Sequence, residues 1–184
     1  MKLSTRLSRR LAVGVGLASA AILLPTAALA SSATAGAPSR PSVAACISTH
    51  TRVWYGVPGD GATGHIFFQL QFSNIGHSTC SYFGYPGVSA IDVHGHQVGL
   101  PASHSGTRLT VTLAPGGTAH VVLDVTQAAF VCTHPVKTVL LKVFAPGQTH
   151  AQLVGFASGA CIGKSLMHVD ALHPGAGIPG FSSS

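Results

Sequence analysis

Apolar and polar residues alternate along most of the chain, and this period of two is the feature that most limits how it can fold. In residues 65–73 the even-numbered residues Ile66, Phe68, Leu70 and Phe72 are apolar. The odd-numbered residues from 69 to 73 are polar. The same alternation occurs at residues 109–113, 121–125 and 139–143. Because successive side chains of a strand point to opposite faces of a sheet, each segment is predicted to be a half-buried antiparallel strand.

Further short strands are predicted at residues 47–55, 88–93, 96–100 and 152–157, because glycine and proline turns separate them from their neighbours. No window of ten residues beyond the N-terminal segment has the helical period. Seven to eight short strands at such intervals are typical of two sheets packed face to face. We therefore predict an all-β, immunoglobulin-like antiparallel β-sandwich over residues 43–169, stabilised by disulfides.

The first 30 residues have the three parts of a secretory signal peptide. Basic residues lie within positions 1–10, an apolar run extends from Leu11 to Leu24, and Ala28-Leu29-Ala30 is a small-x-small cleavage site. The apolar run would rise only about 21 Å as a helix, whereas the hydrocarbon core of a bilayer is ~30 Å thick. We expect cleavage after Ala30, export to the extracellular space, and no stable membrane anchor after cleavage.

Two segments of simple composition flank the predicted domain. Residues 31–42 consist of small residues, proline and one arginine, and residues 170–184 are rich in glycine, proline and serine. Segments with so little apolar bulk rarely repay the entropy lost on ordering. We expect a flexible leader at 31–42 and a flexible tail at 170–184.

The mature chain is expected to carry little net charge. Four of the ten lysines and arginines lie in the first ten residues, so six basic residues face four acids in the remainder. These six are spread singly and do not form the clustered patch that a phosphate backbone requires. Nucleic acid is therefore not an expected partner.

Export to an oxidising compartment would place the four cysteines in two disulfides. The cysteines are Cys46, Cys80, Cys132 and Cys161, and no two of them form a C-x-x-C pair. Three pairings are possible from the sequence. Pairing of neighbours would close two loops of about 30 residues, each stabilising the fold by roughly 3–4 kcal/mol.

Three motifs follow one another along the chain: Phe72-Ser73-Asn74 with Thr79-Cys80, then Gly84-Tyr85-Pro86-Gly87-Val88, then Val111-Thr112-Leu113-Ala114-Pro115-Gly116-Gly117-Thr118-Ala119. Together they resemble the secreted actinobacterial family called domain of unknown function 4232, from about Cys46 to Cys161. The resemblance implies an extracytoplasmic sandwich in which Cys46 pairs with Cys80. It brings no catalytic residue and no cofactor with it.

His94-Gly95-His96 is the candidate metal site, because two imidazoles can converge on one ion when the backbone turns between them. Zinc and copper(II) both suit imidazole ligands. A stable site needs a third or fourth ligand, and the sequence does not indicate which of the other nine histidines would supply it. Exposed turn histidines without a metal are the competing interpretation.

Catalytic patterns are lacking. The sequence has no G-x-S-x-G nucleophile elbow, and His120 and Asp124, on one face of a predicted strand, would lie about 13 Å apart. We predict that the chain is not an enzyme and needs no cofactor. We also expect Trp54 to pack in the core beside a disulfide rather than to form a binding surface.

Three functions remain open from the sequence. The first is a non-enzymatic module that binds an unknown extracellular or cell-envelope partner. The second is a histidine-based metal-binding or pH-responsive protein, because histidine gains charge as pH falls through about 6.5. The third is an uncharacterised enzyme.

Overall fold

The computed structural model describes residues 42–56 and 61–177. The predicted signal peptide, its cleavage point and nearly all of the predicted leader lie outside the described residues, as do residues 178–184 at the end of the predicted tail. Within the described ranges the helices are two short 3-10 turns, Ser48–His50 and Ala128–Phe130. No helix there is long and apolar enough to cross a membrane.

The described residues form thirteen strands, eight of which have four or more residues. In chain order they are β1 (Thr51–Tyr55), β2 (Gly61–Ala62), β3 (His65–Asn74), β4 (Cys80–Phe83), β5 (Gly87–Asp92), β6 (Gln97–Val98), β7 (Ser103–His104), β8 (Thr110–Leu113), β9 (Thr118–Thr126), β10 (Val136–Phe144), β11 (Ala151–Ala160), β12 (Met167–Val169) and β13 (His173–Pro174). The predicted all-β class is confirmed. The sequence did not indicate β4 or the short strands β12 and β13.

The strands form two main sheets. Seven strands make one sheet, in the order β1-β3-β9-β12-β7 with β13 beside β9 and β2 beside β3, and four make the other, in the order β11-β10-β5-β6. Strands β4 and β8 form a separate pair. The pairing is antiparallel except between β12 and β7, which run parallel.

The core lies between the two main sheets, which is the arrangement of a sandwich. Leu70 and Leu123 of the seven-stranded sheet and Leu141 and Val143 of the four-stranded sheet are fully buried in one hydrophobic cluster. Leu70 belongs to the apolar parity of β3 that the sequence pattern assigned to the core. The opposite parity of β3 therefore lies on the far side of the seven-stranded sheet.

Both disulfides join neighbouring cysteines. Cys46 is bonded to Cys80 and Cys132 to Cys161, closing loops of 34 and 29 residues. The first bond attaches the chain before β1 to the start of β4. The second attaches the chain after the Ala128–Phe130 turn to the end of β11.

The ordered domain extends beyond the boundary expected from the sequence. We expected a flexible tail from Asp170, but Leu172 is completely buried and β13 pairs with Ala119 and His120 of β9. The composition of this segment indicated too little apolar bulk for order. The buried Leu172 and the pairing with β9 hold this segment against the sheet.

The first and third motifs meet at Asn74, although about forty residues separate them. The backbone N–H of Asn74 donates to the carbonyl of Gly117 at 2.9 Å, and Gly116 N–H donates to the carbonyl of Asn74 at 2.8 Å. The Asn74 amide also donates to the carbonyls of Ser78 and Leu113. These motif residues thus connect the β3–β4 loop to the β8–β9 turn and have a structural role.

Candidate functional site

The His94-Gly95-His96 segment forms the turn between β5 and β6. Asp92 Oδ1 accepts the backbone N–H groups of His94 and His96 at 2.9 and 2.8 Å, and Gly95 has the positive φ of 84° that such a turn requires. The two imidazole rings are 6.4 Å apart between centroids and are tilted by 36°. The turn brings the two predicted ligands near each other.

No further ligand joins this pair in the part of the chain that the structure describes. Residues 42–56 and 61–177 contain no group of three or more histidine, cysteine or acidic side chains arranged to hold a metal ion. Asp92 Oδ2 lies 3.9 Å from His96 Nδ1. The backbone N–H of His96 is the main cause that lowers the pKa of Asp92, and the N–H of His94 and the nearby imidazoles lower it further.

The histidines that gather most closely lie elsewhere, on the side of the seven-stranded sheet that faces away from the core. We call this side the outer face; it consists of the core-averted residues of β3 (His65, Phe67, Gln69, Gln71 and Ser73) and their neighbours in β1, β9, β12 and β13. Its four histidines are His65, His120, His168 and His173. Strand pairing places them on one face of the sheet, although they lie up to 108 residues apart in sequence.

One end of the outer face carries two polar clusters. His65 Nδ1 lies 2.8 Å from Asp124 Oδ1. In the neighbouring strand, His168 contacts two hydroxyls, with Nδ1 3.0 Å from Ser103 Oγ and Nε2 2.6 Å from Ser105 Oγ. The sequence did not indicate this serine–histidine cluster, because its members come from strands that pair only in the folded chain.

His120 and Asp124, the pair considered for acid-base chemistry, have separate partners. His120 Nδ1 donates to the carbonyl of Gly175 at 2.9 Å, while Asp124 is bonded to His65. The His120 ring instead stacks on His173 at 5.5 Å between centroids. His173 in turn contacts Asp170 at 3.2 Å.

Trp54 lies on the outer face and not in the core, so that expectation is wrong. Val53 is buried and contacts the core, whereas 39% of Trp54 is exposed. The alternation in β1 carried this signal, because Trp54 has the same parity as the charged Arg52. The two side chains line an open hollow.

Hydrogen bonds fix Trp54 and its strand. Trp54 Nε1 donates to Ser73 Oγ at 3.0 Å, and Ser73 Oγ contacts Thr118 Oγ1 at 2.9 Å. On the other edge of β1, the side chain of Gln152 accepts from the N–H of Val53 at 3.0 Å and donates to the carbonyl of Thr51 at 2.7 Å. The tryptophan ring is therefore held in place on the outer face.

Among the described residues, the aspartates contact histidines, whereas the lysines and arginines form no ion pairs. Asp92, Asp124 and Asp170 each contact a histidine. Within residues 42–56 and 61–177, no lysine or arginine lies within ion-pair distance of an acid, so Arg52 keeps its charge beside Trp54 without a carboxylate partner.

The comparison with protein families identifies the chain. A family described as Domain of unknown function (DUF4232) matches residues 46–172, which is more than half of the sequence. The chain belongs to this family. The match ends at Leu172, the last buried residue before β13, and this agrees with a domain that continues past residue 169. No curated protein and no solved structure matches the chain.

The DUF4232 match covers every motif that carried the resemblance, and the structure explains several of their residues without a catalytic role. Asn74 and Gly116 connect two loops, and Gly84 has a positive φ of 104°. Tyr85 of the second motif stacks on His104 at 5.0 Å, and its hydroxyl donates to the carbonyl of Gly106. The outer-face residues Trp54 and Arg52 lie outside all three motifs.

Proposed function

We propose that this DUF4232 domain is a secreted, non-enzymatic binding module that contacts an extracellular or cell-envelope partner through its outer face. The observation that carries the proposal is the pair formed by the exposed Trp54 and by Arg52, which has no carboxylate partner among residues 42–56 and 61–177. Tryptophan and arginine are enriched among the residues that contribute most to protein interfaces. The hydrogen bond to Ser73 already fixes the indole ring, so little side-chain entropy would be lost on binding.

Secretion is part of the proposal and is supported by two features. The N-terminal segment has the composition of a signal peptide, and all four cysteines are in disulfides. Disulfides persist in oxidising compartments outside the cytoplasm. Mass spectrometry of the protein recovered from culture medium tests this part, with Ser31 expected as the first residue.

The binding role is tested by capture with matched variants. The mature chain, residues 31–184, is immobilised and exposed to culture medium and to envelope fractions, beside Trp54→Ser and Arg52→Ser. The control is Leu153→Ser, because Leu153 is a large apolar residue that is 63% exposed on the four-stranded sheet. We expect a partner that the wild type and the control retain and that both outer-face variants lose.

Two results would contradict this function. Equal capture by the wild type and the outer-face variants would exclude the outer face as the contact surface. Turnover of an ester or amide substrate that disappears in Ser105→Ala would show that the serine–histidine cluster is catalytic, and the module would then be an enzyme.

A second candidate function is a response to pH, favoured by the stacked pair His120 and His173. If both rings became protonated, two positive charges would be held 5.5 Å apart, with one carboxylate, Asp170, beside them. Histidine is the side chain that ordinarily titrates between pH 5 and 8. We expect His173→Gln to reduce any change in thermal stability between those pH values, measured by circular dichroism.

A further inference from the structure

Residues 174–177 cross the outer face, and we call this segment the strap. It leaves the edge of the sheet at β13 and passes over β9 and then β3. His120 Nδ1 donates to the carbonyl of Gly175 at 2.9 Å, and Gln71 Nε2 donates to the carbonyl of Gly177 at 2.6 Å. Both outer-face side chains thus bind the backbone of the strap and not its side chains.

The strap lies so close to the sheet that a side chain at its inner end would collide with two side chains of the outer face. A Cβ atom on Gly177 would lie 1.5 Å from Gln69 Oε1 and 2.5 Å from His120 Cδ2. His120 is buried and bonded to the strap, so it has little freedom to move away. Ala176, between the two glycines, is exposed to solvent.

The strap uses only part of the hydrogen-bonding capacity beneath it. Gln71 is 2% exposed, and its Oε1 and that of Gln69 are buried without a hydrogen-bond partner among the described residues. A buried acceptor left without a donor costs about 1–3 kcal/mol. A primary amide can accept an N–H and donate to a carbonyl at once, which matches the two polar groups of a peptide unit.

We propose that the outer face around Gln69, Gln71 and His120 is a peptide-binding site, occupied in the free protein by the strap and open to an extended glycine-containing peptide from a partner. The site deepens the proposed function, and rests on it, by naming the chemistry of the partner. A partner peptide that also supplied N–H donors to the two glutamine oxygens would bind better than the strap. The partner's glycine takes the place of Gly177.

A labelled peptide with the sequence of residues 173–180 tests the site by fluorescence anisotropy. The mature chain is compared with its Gly177→Val variant, whose valine would collide with the buried His120 ring when the strap lies on the sheet, and with Ala176→Val, whose substituted side chain is exposed. We expect the peptide to bind Gly177→Val about tenfold more tightly than the wild type, because the competing strap is displaced. Ala176→Val should bind it as the wild type does.

Two further variants show whether the site recognises the backbone. A peptide with valine in place of its Gly177 should bind the Gly177→Val chain about tenfold more weakly than the unmodified peptide. Adding Gln71→Ala to that chain should weaken binding of the unmodified peptide to a similar extent. Trp54 is the single tryptophan and lies opposite Gln71 in the strand register, so its emission should change in Gly177→Val and return when the peptide binds.

Equal affinities of the wild type and Gly177→Val for the unmodified peptide would overturn the inference. So would equal affinities of Gly177→Val for the glycine and valine peptides. Either result leaves the proposed function standing if partner capture still depends on Trp54 and Arg52. Partner capture that no longer depends on Trp54 and Arg52, together with tighter binding of the peptide by Gly177→Val than by the wild type, would show that the peptide site exists and that the proposed contact surface is wrong.

Discussion

Replacing Asn74 tests whether the first motif acts through hydrogen bonding or through its size. The Asn74 amide is 1% exposed; it donates to Ser78 and Leu113 at 2.9 and 3.1 Å and accepts from the N–H of Gly76 at 3.0 Å. Each bond contributes about 1 kcal/mol, and backbone groups that stay buried without it raise the cost. Asn74→Ala should therefore lower the free energy of unfolding by about 3–5 kcal/mol.

Asn74→Asp separates the two explanations, because aspartate has nearly the same size. One carboxylate oxygen can still accept from Gly76, but the other would face the carbonyl oxygens of Ser78 and Leu113 with no proton to donate. At pH 7 we expect Asn74→Asp to destabilise the fold at least as much as Asn74→Ala. At pH 4 the difference from the wild type should narrow, because a protonated carboxyl can donate to one carbonyl again.

Urea unfolding of the oxidised mature chain, followed by tryptophan fluorescence, measures both variants. The control is His77→Ala, since His77 is exposed in the same loop and should change the free energy of unfolding by less than about 0.5 kcal/mol. If Asn74→Asp changed the free energy of unfolding by less than about 0.5 kcal/mol at pH 7, the hydrogen-bonding explanation would be refuted.

Three other perturbations have defined outcomes. Removing the second disulfide with Cys132→Ala and Cys161→Ala should lower the free energy of unfolding by about 3–4 kcal/mol, because the unfolded chain gains the entropy of the opened loop. Calorimetry measures this change, and a loss below about 1 kcal/mol would contradict the prediction. Burial raises the pKa of Tyr82 above its ordinary value of 10.0, so the stability linked to its protonated form is complete below pH 10 and is lost as pH rises through the raised pKa. Between pH 9 and 11 the free energy of unfolding of the wild type should therefore fall more than that of Tyr82→Phe. Parallel curves of the free energy of unfolding against pH for the two proteins would argue against this. Zinc or copper(II) should raise the melting temperature little, because two imidazoles alone bind a metal ion weakly. A stoichiometric rise in melting temperature that vanishes in the His94→Ala, His96→Ala double variant would instead establish a metal site at the β5–β6 turn.

The strand pattern was predictable because it depends on local periodicity. Alternation placed β3, β9 and β10 close to their observed bounds, and the parity of β3 identified Leu70 and Phe72 as core residues. Strand β4 (Cys80–Phe83) escaped detection because its outward-facing Phe83 is apolar although exposed, so its four residues do not alternate clearly between apolar and polar. The expectation for Trp54 is wrong because it depends on the closeness of its strand to Cys46 and neglects the parity that Trp54 shares with Arg52.

The candidate site could be predicted only in part. His94 and His96 are neighbours in sequence, so a local turn is enough to bring them together. His120 and His173 meet because β13 pairs with β9, and Leu172 is buried directly before β13. The composition of residues 170–177 gives no sign of such an anchor, since most of them are small or turn-forming.

The sequence by itself determined the all-β class, the two faces of β3 and β9 and a cysteine set able to form two disulfides. These properties follow from the period of side chains along a strand and from covalent chemistry, and both are local. The tertiary structure alone decided the partners of the outer-face histidines and the path of the strap over Gln71. Those features depend on which distant strands pair, and the free energy of that pairing is shared across the whole core between the two sheets.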